Sequence, residues 1–138
     1  MRTGLSVEDL GDLLDRPLLA TLATYGRDGL VLLSPVWFEW REGGFNVAIG
    51  RDDVKARHLR RDPRASVVVA EAEPPMRGLE IRGSARLMPQ SHEVDRRIVE
   101  RYVGGARADE YLAGLPPGTL VRLEPGDLRA WDFADEHD

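Results

Sequence analysis

Three apolar, β-branched runs separated by glycine-bearing turns restrict the first fifty residues to extended structure. Residues 18–24 (Leu-Leu-Ala-Thr-Leu-Ala-Thr) end at Tyr25-Gly26-Arg27-Asp28-Gly29, whose Asp-Gly pair is a strong hairpin signal. Residues 30–40 end at Arg41-Glu42-Gly43-Gly44, and residues 45–49 (Phe-Asn-Val-Ala-Ile) follow. Links of four or five residues join antiparallel neighbours and leave no room for the crossover helix that a parallel pair requires. A three-stranded meander is therefore expected, and a doubly wound parallel sheet is excluded.

Beyond residue 50 the pattern becomes mixed. Asp52 or Asp53 can cap a helix with Val54, His58 and Leu59 on one face, stopped by Pro63. Residues 65–72 and 78–87 read as strands on either side of Pro74-Pro75, and residues 89–102 as a helix with Val94, Ile98 and Val99 turned inward. Gly104-Gly105 ends that helix, residues 106–113 suit a short helical turn, and residues 119–123 and 128–133 supply one or two closing strands. At the start, Ser6 heads a short helix carrying Leu10, Leu13 and Leu14. Some six strands with short early connections predict a mainly β fold, an antiparallel barrel with appended helices, formed by a single domain over residues 1–138.

Composition removes several chemistries. The chain has no cysteine and three scattered histidines, which leaves no thiolate chemistry and little for a metal site. Its net charge of −5 argues against a nucleic-acid partner, and no apolar run is long enough for a membrane span. Acidic residues stand where a signal peptide would keep its apolar stretch, so a cytoplasmic location is expected.

Against that acidic background one segment is basic. Residues 51–64 hold six basic and three acidic side chains, while the rest of the chain has 13 against 21. The basic segment begins where a strand passes into a helix, and the first turn of a helix holds phosphate well, by backbone N–H groups and by point charges such as Lys55 and Arg51. Arg60, Arg61 and Arg64 read instead as an exposed helix surface. Upstream, Ser34-Pro35-Val36-Trp37 places a proline within a strand, which suits an edge or a bulge beside something other than a neighbouring strand.

Taken in order, Leu18-Leu19-Ala20-Thr21-Leu22-Ala23-Thr24, Arg27-Asp28-Gly29, Ser34-Pro35-Val36-Trp37-Phe38 and Lys55-Ala56-Arg57-His58-Leu59-Arg60-Arg61-Asp62-Pro63-Arg64 resemble the split-barrel flavin-binding proteins related to pyridoxamine 5′-phosphate oxidase, and within them the deazaflavin (F420)-dependent branch. The resemblance implies a six-stranded antiparallel split barrel, a homodimer, and FMN or F420 in a groove between subunits. It places Lys55 on the cofactor phosphate, Ile49 and Gly50 at the end of the strand leading there, Ser34, Pro35, Val36 and Trp37 alongside the ring, and Arg51 and Arg57 as additional charges. Two positions depart from the family pattern: Val54 stands where arginine is frequent, and Ala48-Ile49 replaces a pair that is often hydroxyl-bearing.

The function this implies is hydride transfer between F420 and a small organic molecule, with an FMN-dependent oxidoreductase or a non-catalytic flavin carrier as alternatives. No nucleophile, triad or carboxylate pair marks a catalytic residue, and hydride chemistry carried by a cofactor does not need one. Trp131 is expected at the subunit seam or over the partner's site. Residues 73–77 are candidates for the rim of a substrate cavity.

Overall fold

A computed structural model describes residues 1–136. Its strands are β1 (Ala20–Tyr25), β2 (Val31–Val36), β3 (Glu39–Arg41), β4 (Gly44–Gly50), β5 (Arg64–Ala70), β6 (Gly78–Pro89), β7 (Gly118–Leu123) and β8 (Asp127–Trp131). The helices are α1 (Val54–Arg61), α2 (His92–Val103) and α3 (Gly105–Ala113). All strand pairs are antiparallel, in the order β2-β1-β5-β6-β7-β4-β3 with β8 also on β6. The expected mainly β split barrel is present, with eight strands instead of six.

The additional strands have identifiable causes. Residues 30–40 do not form one strand: β2 stops at Val36 on one edge of the sheet, Trp37 and Phe38 cross the opening, and β3 starts at Glu39 on the opposite edge. The meander is thus two hairpins, β1-β2 and β3-β4, joined by a two-residue crossing. Because β2 is an edge strand, Pro35 is tolerated within it. The two halves of the sheet are held together by β6, whose residues 78–84 pair with β5 and residues 85–89 with β7.

The core lies inside this curl. Phe38, Phe45, Val47, Val67, Val69, Leu79, Ile81 and Leu123 are fully buried, and Leu10, Leu13 and Leu14 close over them. The leading helix is replaced by two 3₁₀ turns, Glu8–Leu10 and Leu13–Asp15, because Gly11 at φ 61° interrupts any continuous helix. On α1 it is Ala56 and Leu59 that face the core; Val54, expected to point inward, is exposed, and His58 is half-buried with its Nδ1 3.0 Å from the Thr24 hydroxyl. The second helix starts at His92, since β6 continues to Pro89; Ser91 caps it by accepting the Val94 N–H at 3.2 Å, and Val94, Ile98 and Val99 are buried as expected. Among the described residues no helix is long and apolar enough to cross a membrane.

Trp131 lies directly over Gly78, its partner in the β6-β8 ladder, with the Arg129 guanidinium 4.8 Å from its ring centre. A Cβ at Gly78 would sit well inside van der Waals contact of indole atoms Cε2 and Cζ2. Gly78→Ala should therefore lower stability by about 1–3 kcal/mol through overpacking. In urea unfolding most of that loss should disappear in a Trp131→Ala background, and a loss of equal size in both backgrounds would contradict the clash.

Candidate functional site

Where the sheet opens, the end of β2, the end of β4, the start of α1 and the α2-α3 pair enclose a hollow of about 310 Å³. Pro35, Val36 and Trp37 form one wall; Ala48, Ile49 and Gly50 form the next, with Asp53 and Lys55 at the helix start. The other side is helical: Asp95, Ile98 and Val99 from α2, then Tyr111 and Leu115. Residues far apart in sequence meet here because the crossing at Trp37-Phe38 carries the end of β2 past the strand that leads to α1.

Aromatic packing sets the shape of the hollow. Trp37 stacks on Tyr102 with ring centres 4.7 Å apart and planes 5° from parallel, and leans against Tyr111 at 5.2 Å. The Tyr102 hydroxyl donates to the Leu18 carbonyl at 2.7 Å and accepts the Phe38 N–H at 3.2 Å. Through these contacts α2 fixes the crossing and orients the indole wall.

The charges are few. The Lys55 ammonium, half-buried, donates to Asp53 Oδ2 at 2.8 Å. Asp53 precedes the first turn of α1 yet makes no side-chain capping bond there. The Lys55 hydrogen bond, opposed by burial, holds the Asp53 carboxyl below the usual carboxylate range. Asp95 is buried and accepts from Gln90 Nε2 at 3.0 Å, while Gln90 Oε1 accepts the Gly118 N–H at 3.2 Å. Gly118 pairs with Gly50, so this amide ties the start of α2 to the strand ends that floor the hollow.

Six of the nine residues singled out in the sequence, Pro35, Val36, Trp37, Ile49, Gly50 and Lys55, line this hollow. The remaining three lie elsewhere. Ser34 is buried within β2 opposite Leu22. Arg51 is exposed and borders a separate hollow with Arg60, which donates to the Arg51 carbonyl at 2.6 Å. Arg57 is exposed and donates to the Asp52 carbonyl at 3.4 Å. Only Arg57 is on α1, where side chains step by about 100° and two positions carry it to a different face from Lys55; Arg51 stands in the turn before the helix and Ser34 on the strand. Residues 73–77 and Trp131 do not border the hollow either. Sequence reading missed Asp95, Tyr111 and Leu115; the inward spacing of Ile98 and Val99 marked the helix face but not the strands it would meet.

A larger hollow of about 600 Å³ lies beside β3, β4 and β7, with Arg41, Arg86, Arg97 and Arg122 on its walls. Most of these cations are already committed. Arg97 pairs with Glu39 at 2.8 Å, Arg86 with Glu124 at 2.6 Å, and Arg122 donates to the carbonyls of Arg41 and Glu42. The lining of this larger hollow is mostly charged and polar, with Met88, Val94 and Leu120 as the apolar members.

A curled antiparallel sheet opened at a two-residue crossing, with a cation at a helix start beside the opening, defines a split barrel of the flavin-binding kind. The family model described as pyridoxamine 5′-phosphate oxidase matches residues 7–132, and the chain belongs to that family. A conserved hypothetical protein of Mycobacterium tuberculosis is similar in structure, with a TM-score of 0.83 and 25% identity, over 97% of this chain and 89% of that one. An F420 reductase superposes with a TM-score of 0.70 at 23% identity, covering 85% of this chain and 93% of its own. The heme storage protein HutZ of Vibrio cholerae does so with a TM-score of 0.70 at 22% identity, covering 88% and 92%. No curated protein matches the chain in sequence.

Proposed function

We propose that the protein is an F420-dependent oxidoreductase that moves hydride between the deazaflavin and a small organic molecule. The observation that carries this reading is the convergence of Pro35–Trp37, Ile49-Gly50 and Lys55, from three separate elements, on one largely apolar hollow. Its residues fit such a cofactor: flat apolar and aromatic walls suit a tricyclic ring, and Lys55 supplies a cation for a phosphate. The reductase among the structural neighbours favours F420 over FMN.

In this reading a bound, reduced deazaflavin supplies the hydride. The chain's own residues bind and align. Val36, Trp37 and Ile49 exclude water from one side, Tyr111 and Leu115 border the space left for a substrate, and Lys55 anchors the phosphate. The exposed, alternating Val31 and Leu33 on the open edge of β2, next to Pro35, suit a second copy of the chain, so a homodimer completing the groove is part of the proposal. FMN in place of F420 is the near alternative. A flavin carrier without turnover is the alternative of a different class, and oxidation of the reduced cofactor by an acceptor separates it from an enzyme.

Fluorescence titration with F420 and FMN tests the reading, followed by oxidation of the reduced cofactor with candidate acceptors. Lys55→Ala should weaken the bound cofactor at least tenfold, as expected for loss of a charge-assisted contact of about 1.5–3 kcal/mol. Affinity unchanged in Lys55→Ala would place the phosphate elsewhere, and no binding of either cofactor would overturn the proposal.

A further inference from the structure

Among the residues that line the hollow, Lys55 is the sole cation, and it stands with two carboxylates, Asp53 and Asp95. The two acids differ in their commitments. Asp95 is buried and held by the Gln90 amide on the helical side. Asp53 is one-third exposed and its carboxylate lies 2.8 Å from the Lys55 ammonium, which is itself only 17% exposed. An ammonium donating at that distance commits one of its three hydrogens to Asp53, whose negative charge offsets its attraction for a second anion.

We propose that Asp53 determines how strongly this hollow selects a phosphate-bearing ligand, by occupying the one cation that a phosphate would use. A phosphate reaches Lys55 only by displacing the carboxylate or by sharing the ammonium with it at the expense of like-charge repulsion. Arg51 and Arg57, the nearest other cations in sequence, are directed away and do not relieve this competition. The inference rests on the cofactor reading above and adds a specificity residue to it.

FMN and riboflavin differ by the phosphate alone, so the ratio of their dissociation constants isolates the contact. Flavin fluorescence titrations should be run on the native chain, Asp53→Asn, Lys55→Ala and the double variant. Asparagine keeps the size of the side chain and is as good a residue before a helix as aspartate. Asp53→Asn should raise the preference for FMN about tenfold, and this gain should largely vanish when Lys55 is absent. A parallel arm follows the melting temperature of the same four proteins with inorganic phosphate, and only Asp53→Asn should gain stabilisation.

Where flavin binds, the ratio decides: a ratio unmoved by Asp53→Asn, or moved equally with and without Lys55, overturns the role of Asp53 while the cofactor reading stands. Where neither FMN nor riboflavin binds, the phosphate arm decides: a Lys55-dependent gain in Asp53→Asn keeps the inference and a flat response overturns it, while the cofactor reading stands or falls with the separate F420 titration.

Discussion

Phe38→Ala should lower the stability of the domain by about 3–5 kcal/mol, the range for removing a fully buried phenylalanine. For a domain whose total stability is about 5–15 kcal/mol this is a large fraction. The size follows from where the residue stands. Phe38 has no exposed surface, meets Phe45 edge-to-face with ring centres 5.3 Å apart, and lies under the Arg101 guanidinium at 4.8 Å. Phe45 in turn meets Trp40 edge-to-face at 5.0 Å. The cavity would therefore open at the two-residue crossing that joins the halves of the sheet, where neighbouring strands cannot close over it. The midpoint of urea unfolding measures the loss, and a shift worth less than about 1 kcal/mol would show that the crossing collapses without penalty. Because Trp37 precedes it and walls the hollow, flavin affinity should fall in the same variant.

That crossing also shows how much of the fold could be read from residues alone. The hairpin signals at Asp28-Gly29 and Gly43-Gly44 are local, and both hairpins formed. The break between Val36 and Glu39 is not local: residues 30–40 are uninterrupted in strand propensity apart from Pro35, and only the pairing of β1 with β5 and of β4 with β7 forces the chain to leave one edge and join the other. In the same way, Gly11 ended a helix whose leucine spacing was sound, because a residue at φ 61° interrupts helical geometry whatever follows it.

The hollow was legible to the extent that strand order made it so. Pro35, Val36, Trp37, Ile49, Gly50 and Lys55 lie at strand ends or at the first turn after one, positions that a family pattern transfers well. Arg57 failed to join them because its direction depends on helix phase and on the Asp52 carbonyl that it finds, and Arg51 because it stands in the turn before α1 and borders a different hollow. The helical wall was illegible for another reason. Nothing in residues 92–115 states that Tyr102 will bridge Leu18 and Phe38, since both partners lie more than sixty positions away.

Acid should loosen the protein at the β5-β6 loop before the sheet itself is challenged. The Glu71 carboxylate, almost completely buried, accepts from Arg77 Nε and Nη2 at 2.8 and 2.7 Å, from the Arg77 backbone N–H at 3.0 Å, and from Arg16 Nη1 at 2.7 Å. Arg77 also donates to the Leu10 carbonyl and to Asp12, so one carboxylate anchors both 3₁₀ turns that close over the core. The Arg77 guanidinium, against opposition from burial, holds the Glu71 carboxyl at about 2 instead of its ordinary 4.5, with help from the Arg77 N–H and from Arg16. Since the folded value is depressed, the unfolded chain takes up the proton first as pH falls. The contribution, about 3 kcal/mol, is complete above about pH 5 and is lost progressively toward pH 2. Glu71→Gln should cost about 3 kcal/mol at neutral pH, the lower end for breaking a buried ion pair because Arg16 and Arg77 keep some contact with water. Urea unfolding of both proteins from pH 7 to pH 2.5 separates the effects: the native chain should lose stability through this window more steeply than Glu71→Gln, so that the two curves converge at the acid end. Parallel curves would mean that Glu71 titrates as an ordinary carboxylate and that the two arginines hold the loop without it.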